Sequence, residues 1–337
     1  MPDSETGSKN ILLPAATSQL TRANRWDHFL ARVGVNRTGH LVQPGLYTLG
    51  QPSPDSPVFV SANYTLSFDA LRSALAGIDG YILVLDTKGV NVWCAAGEGT
   101  FGTEELLNRI ESTGLGDIVR TRVLILPQLG APGVAAHEIK QRSGFRVEYG
   151  PVRAADLPAY MKTRRATPHM RRVQFTLADR LAVALVDMVA AFLPMAVIAL
   201  VMYFISGLTA ALAVVMIYFT GEVLFPILLP FIPTREFSSK GFLLGLLVAL
   251  PFALVAYMGH PNAAVWLRAA GALVYLLAMP PAVAFLALMF TGSTTFTSRT
   301  GVRREIFTYT PVMAWTFGAG IILLTGLVLA RFFGVTL

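Results

Sequence analysis

The sequence predicts an α/β domain, a doubly wound and mostly parallel sheet, fused to an all-α domain of five transmembrane helices. Three observations carry this expectation. Between residues 58 and 149, apolar runs of strand length alternate with amphipathic helical runs. That is the rhythm of βαβ units, whose parallel strands take helices on both faces. Beyond residue 180 come five apolar runs, each near the ~20 residues needed to cross a hydrocarbon core. Finally, the 337-residue chain is 54% hydrophobic with a mean hydropathy of +0.56, too apolar for a chain held wholly in water.

Residues 1–45 read as a loose N-terminal tail and a short helix. No apolar core follows a basic start, so the tail is not a secretory signal. The short helix is amphipathic and covers 25–32, and the proline-rich stretch 43–57 cannot continue it. An α/β domain over 46–160 follows, with strands expected at 58–64, 81–86, 122–126 and 145–149 and helices at 68–75, 104–110 and 134–141. The run 81–86 is apolar almost throughout and reads as a fully buried strand. Glu104 and Glu105 open the next helix, where the helix dipole favours negative charge.

Residues 161–180 form a basic juxtamembrane linker carrying Lys162, Arg164, Arg165, Arg171, Arg172 and Arg180. The five spans are expected at about 181–203, 208–232, 241–258, 269–290 and 312–333. Arg235 and Lys240 follow the second span, and Arg299, Arg303 and Arg304 follow the fourth. The connection after the first has neither Lys nor Arg, and the one after the third has only Arg268. Charge therefore alternates with crossing parity. This predicts a multi-pass protein of the cytoplasmic membrane, with the α/β domain in the cytoplasm and the C-terminus outside. The same distribution accounts for the formal net charge of +7 without invoking nucleic acid.

The stretch Asn91-Val92-Trp93-Cys94-Ala95-Ala96-Gly97 holds the only cysteine. Asn91 suits an N-cap and Gly97 the left-handed position that ends a helix, which leaves a cap helix over 91–97. So short a helix is marginal alone, so something must pack on it. A lone cysteine is more often a small buried hydrophobe than a ligand, and residue type alone leaves both readings open. One cysteine also excludes an internal disulfide and any iron–sulfur cluster held by this chain alone.

The run 90–103, preceded by Leu83-Val84-Leu85-Asp86-Thr87-Lys88-Gly89, closely resembles the cap-helix motif of the mercury-methylating corrinoid proteins. The corrinoid domain of that family is related to the large subunit of the corrinoid iron–sulfur protein of acetyl-CoA synthesis. The resemblance continues through residues 127–137 and Tyr149-Gly150-Pro151-Val152-Arg153 and into the membrane domain. It implies a corrinoid cofactor (cobalamin, cobalt) with Cys94 as its lower axial ligand and catalytic residue. It also implies binding by Asn63, Thr65 and Asp86 at strand ends, and by Asn91, Val92, Trp93, Ala95, Ala96, Gly97, Gly99 and Thr100 along the cap. Gln128, Leu129, Gly130, Ala131, Pro132 and Gly133 complete that set from a second loop. Glu98 stands where the family's motif usually has lysine.

Both loops follow strand C-termini, so they are expected to share one crevice of the kind that binds ligands in open α/β sheets. Gly97-Glu98-Gly99-Thr100-Phe101-Gly102 also matches a dinucleotide fingerprint. That fingerprint needs its glycines directly after a strand, and here about ten residues intervene, so we read them as ending one helix and turning into the next. His137 has no second ligand at metal spacing and reads as a surface or packing residue. Asp187 and Glu222 lie within spans, where burial of a carboxylate is costly, so both should face the bundle interior or water. A polar pathway and a structural hydrogen bond both fit. Prolines at 226, 230, 233, 280 and 281 are expected to kink helices. The polar run 291–299 resembles the family's membrane domain.

The resemblance implies a corrinoid-dependent methyltransferase passing methyl from cobalt to Hg(II). It further implies a ferredoxin-like [4Fe–4S] reductant protein and a donor linked to methyltetrahydrofolate. The alternatives are a membrane-anchored corrinoid methyl carrier with another acceptor, or a transporter or receptor with a cytoplasmic ligand-sensing domain.

Overall fold

A computed structural model of the chain describes residues 13–36, 39–259, 261–294 and 297–333. The chain divides into two compact units, one of residues 1–31 and 35–173, the other of residues 174–337 with the short stretch 32–34. Residues 161–173 of the expected linker therefore belong with the first unit and 174–180 with the second.

The first unit carries strands β1 (Ala15–Ala16), β2 (Gly45–Leu49), β3 (Val58–Ala62), β4 (Gly80–Leu85), β5 (Val123–Leu126) and β6 (Arg146–Tyr149). Its helices are α1 (Arg22–Arg32), α2 (Thr65–Ala74), α3 (Val92–Glu98), α4 (Thr103–Ser112), α5 (Leu115–Ile118), α6 (Ala136–Ser143) and α7 (Leu157–Thr163). The strands form one sheet in the order β1-β2-β4-β3-β5-β6. Neighbours from β4 through β6 are parallel. All six residues of β4 are buried, and their alternation feeds two apolar layers. Leu83 and Leu85 pack with Phe101, Leu106 and Ile139 on one face. Ile82 and Val84 pack with Phe68, Leu71 and Leu157 on the other. A strand buried on both faces has no polar side, which is why its sequence shows no alternation.

Two strands were not expected. β2 lies inside the proline-rich stretch and runs antiparallel to β4, from Gly45 opposite Val84 to Leu49 opposite Gly80. β1 is two residues long and pairs with Thr48 and Leu49, so the part of the expected tail around Ala15 is tied to the sheet edge. The tail's first 12 residues lie outside the described residues. β1 is too short to display a period of two, β2 lies in a proline-rich stretch that hides its pattern, and the partners of both are far away in sequence.

Among the described residues, the second unit has five helices long and apolar enough to cross a membrane: Leu177–Ser206, Leu208–Leu228, Phe237–Met258, Val265–Ser293 and Thr300–Phe332. The first begins four residues before its expected start, because Thr176 and Asp179 form a reciprocal capping box. Arg180, expected in the linker, is consequently inside this helix and buried. Its Nη1 donates to the carbonyls of Pro226 and Ile227, each at 2.8 Å. Lys240 is buried as well, and its Nζ donates to the carbonyls of Leu229 (3.1 Å) and Ile232. Two cations thus satisfy carbonyls that the end of the second helix leaves without intrahelical partners. Their role here is structural.

At the neighbouring helix start, buried Glu305 accepts from Phe237 N, Ser238 N and Ser238 Oγ. The helices over Phe237–Met258 and Val265–Met289 approach through Gly241 and Gly245. A Cβ at these positions would stand 2.6 Å from Ala284 Cα and 2.8 Å from Pro280 Cα. Small residues four apart allow that close approach.

Asp187 accepts from Ser293 Oγ at 3.2 Å, and Glu222 is buried in a π-helical turn over Thr220–Leu224. Both carboxyls therefore face protein, as the cost of burial in lipid requires. The fourth helix runs unbroken through Pro280 and Pro281. Within the polar run 291–299, residues 295 and 296 lie outside the described residues.

Candidate functional site

The chain leaves β3 toward β4 on one side of the sheet and leaves β5 toward β6 on the other, so the direction of winding reverses between β3 and β5. Ligands of open α/β sheets bind at such a switch point, beyond the carboxyl ends of the strands. The register shows how a cleft opens there. β3 and β5 pair only at Val58 with Leu124 and Phe59 with Ile125, while both strands continue beyond that pairing. The resulting cleft has a volume of about 270 Å³. It is lined by Val60, Ser61, Leu126 and Pro127 from the strand ends, Ala70 and Leu71 from α2, and Asn91, Val92 and Trp93 from the start of α3.

α3 begins as the sequence predicts. Asn91 is extended, and its Oδ1 accepts from Cys94 N at 3.0 Å. Its Nδ2 lies 3.6 Å from Cys94 Sγ, within range of a weak N–H···S bond. The helix ends two residues later than expected. Gly97 is inside it, and Gly99, at φ +94°, takes the left-handed position and donates to Ala95 O. Only glycine adopts that backbone without strain, and two glycines spaced by one residue left the choice open in sequence.

Ala95 and Ala96 are buried against the domain, Trp93 and Cys94 are half-buried, and Gly97, Glu98 and Gly99 are exposed. Val92 is anchored in the core. The thiol therefore sits at the boundary between packed and open surface, a place from which it can meet a bound group. Among the described residues no cluster of three or more His, Cys, Asp or Glu could hold a metal ion, so a metal at Cys94 would have to bring other ligands with it.

The second loop packs against α3, as expected of a shared crevice. Residues Gln128–Gly130 form a single 3₁₀ turn. A Cβ on Gly130 would stand 2.5 Å from Phe101 Cε1, and one on Gly133 would stand 2.2 Å from Phe101 O and 3.1 Å from Ala96 Cα. These glycines are required by contact between the two loops. Thr103 N donates to Gly133 O (3.2 Å), and Ala135 N to Thr103 Oγ1 (2.9 Å), which locks the junction. Leu129 reaches both the core and the cleft. Gln128 Oε1 accepts from Arg171 Nη1 at 2.7 Å, while Ala131 is half-buried and Pro132 exposed. Thr100 Oγ1 lies 3.5 Å from Ala95 O and closes the end of α3.

Asn63 and Asp86 lie at strand ends, where their side chains brace the turn that launches α3. Asn63 is buried, and its Oδ1 accepts from Thr87 N (3.0 Å), Thr87 Oγ1 (2.9 Å) and Gly89 N (3.0 Å). Its Nδ2 donates to Asp86 Oδ1 at 3.3 Å. Lys88, itself at φ +56°, bonds Asp86 through both its amide and its ammonium. The side-chain bond from Lys88 is the chief reason that the Asp86 carboxyl is held below the usual carboxylate range. Thr65 opens α2, and its amide donates to His40 O at 3.0 Å. His137 is exposed on α6, which agrees with a surface role. Sequence reading missed Ser61, Ala70, Leu71 and Val152 as cleft walls. An apolar residue carries the same signal whether it fills a core or lines a cleft.

Residues 36–161 match the family of the CO dehydrogenase/acetyl-CoA synthase delta subunit. That family binds a corrinoid, in agreement with the cofactor expected at the cap motif. Among curated relatives, the acetyl-CoA decarbonylase/synthase complex subunit gamma of Methanopyrus kandleri is 34% identical over 123 residues, covering 36% of this chain and 26% of that protein. The corresponding subunit of Archaeoglobus fulgidus is 33% identical over 128 residues, covering 37% and 27%. That of Methanothermobacter thermautotrophicus is 34% identical over 127 residues, again covering 37% and 27%. The chain thus spans about a quarter of the length of these relatives. The family match lies within the first unit, on a chain whose described residues continue into five helices long and apolar enough to cross a membrane.

Proposed function

We propose that this protein is a membrane-anchored, corrinoid-dependent methyltransferase that passes a methyl group from cobalt to Hg(II). The observation that carries the reading is the placement of Cys94. The only thiol in the chain stands half-buried on a capped helix beside the switch-point cleft, in a region similar to a corrinoid-binding family. The donor fits the cofactor, because a thiolate is a soft, strongly donating ligand. The cleft fits it in part. At about 270 Å³ it lies just below the range typical of small-molecule sites. It can enclose a side arm of a macrocycle, and the remainder would lie over the exposed side of α3.

Bound there, the corrinoid supplies a cobalt centre able to carry a methyl group. Cys94 Sγ would hold that cobalt, and donation from its thiolate would favour transfer of the methyl to an electrophilic acceptor. Asn91 fixes the thiol by bonding both its backbone and its sulfur. The braced turn from Asp86 to Gly89 and the junction at Gly133 keep α3 from shifting. Asn91, Val92, Trp93 and Leu129 would contact the cofactor's edge from the cleft, and the exposed backbone of Gly97 and Gly99 would let it approach closely.

The reductant, on this reading, is a ferredoxin-like protein with [4Fe–4S] clusters, since one cysteine cannot hold a cluster. The methyl donor is linked to methyltetrahydrofolate. On this reading the protein is held in the cytoplasmic membrane with the α/β domain in the cytoplasm, which the alternation of basic connections supports.

A second reading has specific support: the curated relatives are subunits of acetyl-CoA decarbonylase/synthase complexes, which favours a methyl carrier for a different acceptor. One experiment separates these readings. The purified protein is examined for a corrinoid absorbance spectrum and then supplied with Hg(II), the reductant protein and methyl donor. A corrinoid spectrum with methylmercury formation supports the proposal. A corrinoid spectrum without methylmercury supports the carrier, and a protein that binds no corrinoid removes both.

A further inference from the structure

The short amphipathic helix α1 takes no part in the cleft, and its two faces are sharply different. The inward face is bonded to the domain. Asp27 Oδ1 pairs with His40 Nδ1 at 2.7 Å, His28 Nε2 pairs with Asp69 Oδ2 at 2.7 Å, and Ala31 is buried. Asp69 is in turn held by Arg72 Nε at 2.6 Å. α1 is therefore a fixed part of the surface.

The outward face carries Arg22, Arg25, Trp26, Phe29 and Arg32, all exposed. Their spacing places them along one stripe of the helix. Trp26 is 61% exposed and Phe29 48%, with rings stacked at 5.3 Å between centroids. The only acidic residue of α1 is Asp27, which is spent on His40 on the inward side. A rigid aromatic pair flanked by three guanidinium groups, with no acid on the same face, has the composition of a helix that lies in a headgroup layer. Aromatic rings settle at the interface, and arginines bond lipid phosphates in bidentate fashion.

We propose that the outward face of α1 is a docking surface for the anionic headgroup layer of the bilayer that holds this chain. Charge complementarity selects the occupant. So does proximity, because the same chain carries five helices fit to cross that bilayer, which keeps its surface at high effective concentration. The inference uses the membrane reading of those helices and is independent of the corrinoid.

The test uses the full chain in lipid nanodiscs made with and without an anionic lipid, with the acyl chains brominated at a shallow position. The Trp26 emission is obtained as the difference between the parent protein and Trp26→Phe, while Trp266 and Trp315 within the spans report that the chain is in the bilayer. With anionic lipid, the Trp26 component should be roughly halved by the brominated lipid and protected from aqueous iodide. Charge reversal by Arg22→Glu, Arg25→Glu and Arg32→Glu together should restore its emission and its iodide access, with the circular dichroism of the domain unchanged. A Trp26 component open to iodide in anionic nanodiscs overturns the proposal. Equal shielding in detergent and in lipid also overturns it and assigns the face to residues 1–12 or a second copy of the chain. Shielding that appears only when an acidic reductant protein is added overturns it in favour of a protein partner.

Discussion

Replacing Cys94 by alanine separates the ligand role of the thiol from any part it has in the fold. The backbone amide of Cys94, and not its side chain, completes the Asn91 cap at 3.0 Å, so that bond survives the change. The loss includes one half-buried sulfur and a long contact of 3.6 Å to Asn91 Nδ2. Burial of a methylene-sized group is worth about 0.8 kcal/mol when complete, and alanine recovers up to about 0.7 kcal/mol of helix propensity. The two nearly cancel, and the melting temperature of the domain should move by no more than a few degrees.

Asn91→Ala makes the counterpart, because it removes the cap itself and should cost about 1 kcal/mol. If Cys94 is the lower ligand, the alanine form should keep its far-UV circular dichroism, lose the parent Co(III) spectrum, reduce more easily and transfer methyl to Hg(II) at near-background rate. Cys94→His should recover ligation more than activity, since imidazole is the weaker donor. All three forms are purified, their Co(III) spectra recorded and methylmercury formation measured with the reductant protein present. An alanine form that retains both the parent spectrum and the parent rate refutes the role assigned to the thiolate. One that loses its fold shows Cys94 to be a packing residue.

Gly133→Ala should loosen the same site from the opposite side. Its Cβ would meet Phe101 O and Ala96 Cα, backbone atoms with little room to give, so we expect a cost of about 1–3 kcal/mol and reduced corrinoid retention, read by gel filtration followed by absorbance. His40 supplies a pH dependence. Burial lowers its pKa, but the Val35 carbonyl and Asp27 outweigh burial, and the net shift is upward. A raised folded-state pKa gives stabilisation that is complete below the unfolded value near 6.5 and is lost as pH rises through the folded value. Amide protection in α1, corrected for intrinsic exchange, should therefore fall as pH rises above the unfolded value and through the folded one, and lose that trend in His40→Asn; protection that does not change with pH contradicts this. For topology, a reporter fused after residue 337 should behave as extracytoplasmic and one inserted near Arg235 as cytoplasmic, and the reverse pattern would invert the assignment. Residue 337 itself lies outside the described residues.

The sequence by itself determined the elements whose signals are local. Unbroken apolarity marked β4 and the five long helices, because burial on every side removes the need for polar positions. Asn91 announced the start of α3, because an N-cap acts within one turn of its own residue. The Thr176–Asp179 capping box, which sequence reading missed, places the first long helix four residues earlier than hydropathy alone suggests.

What tertiary structure decided depends on partners distant in the chain. β2 becomes a strand because β4 offers an edge to it. Gly99 ends α3 in place of Gly97, while Gly97 lies inside the helix next to Ala96, whose backbone packs on Gly133. Asn63 acts as a brace because the turn at Thr87 and Gly89 presents three donors to it. Arg180 and Lys240 read as topological charges until the end of the second long helix is seen to leave carbonyls for them. The cleft belongs wholly to this second class: it exists because β3 and β5 part after two paired residues, and a register of that kind is written in neither strand alone.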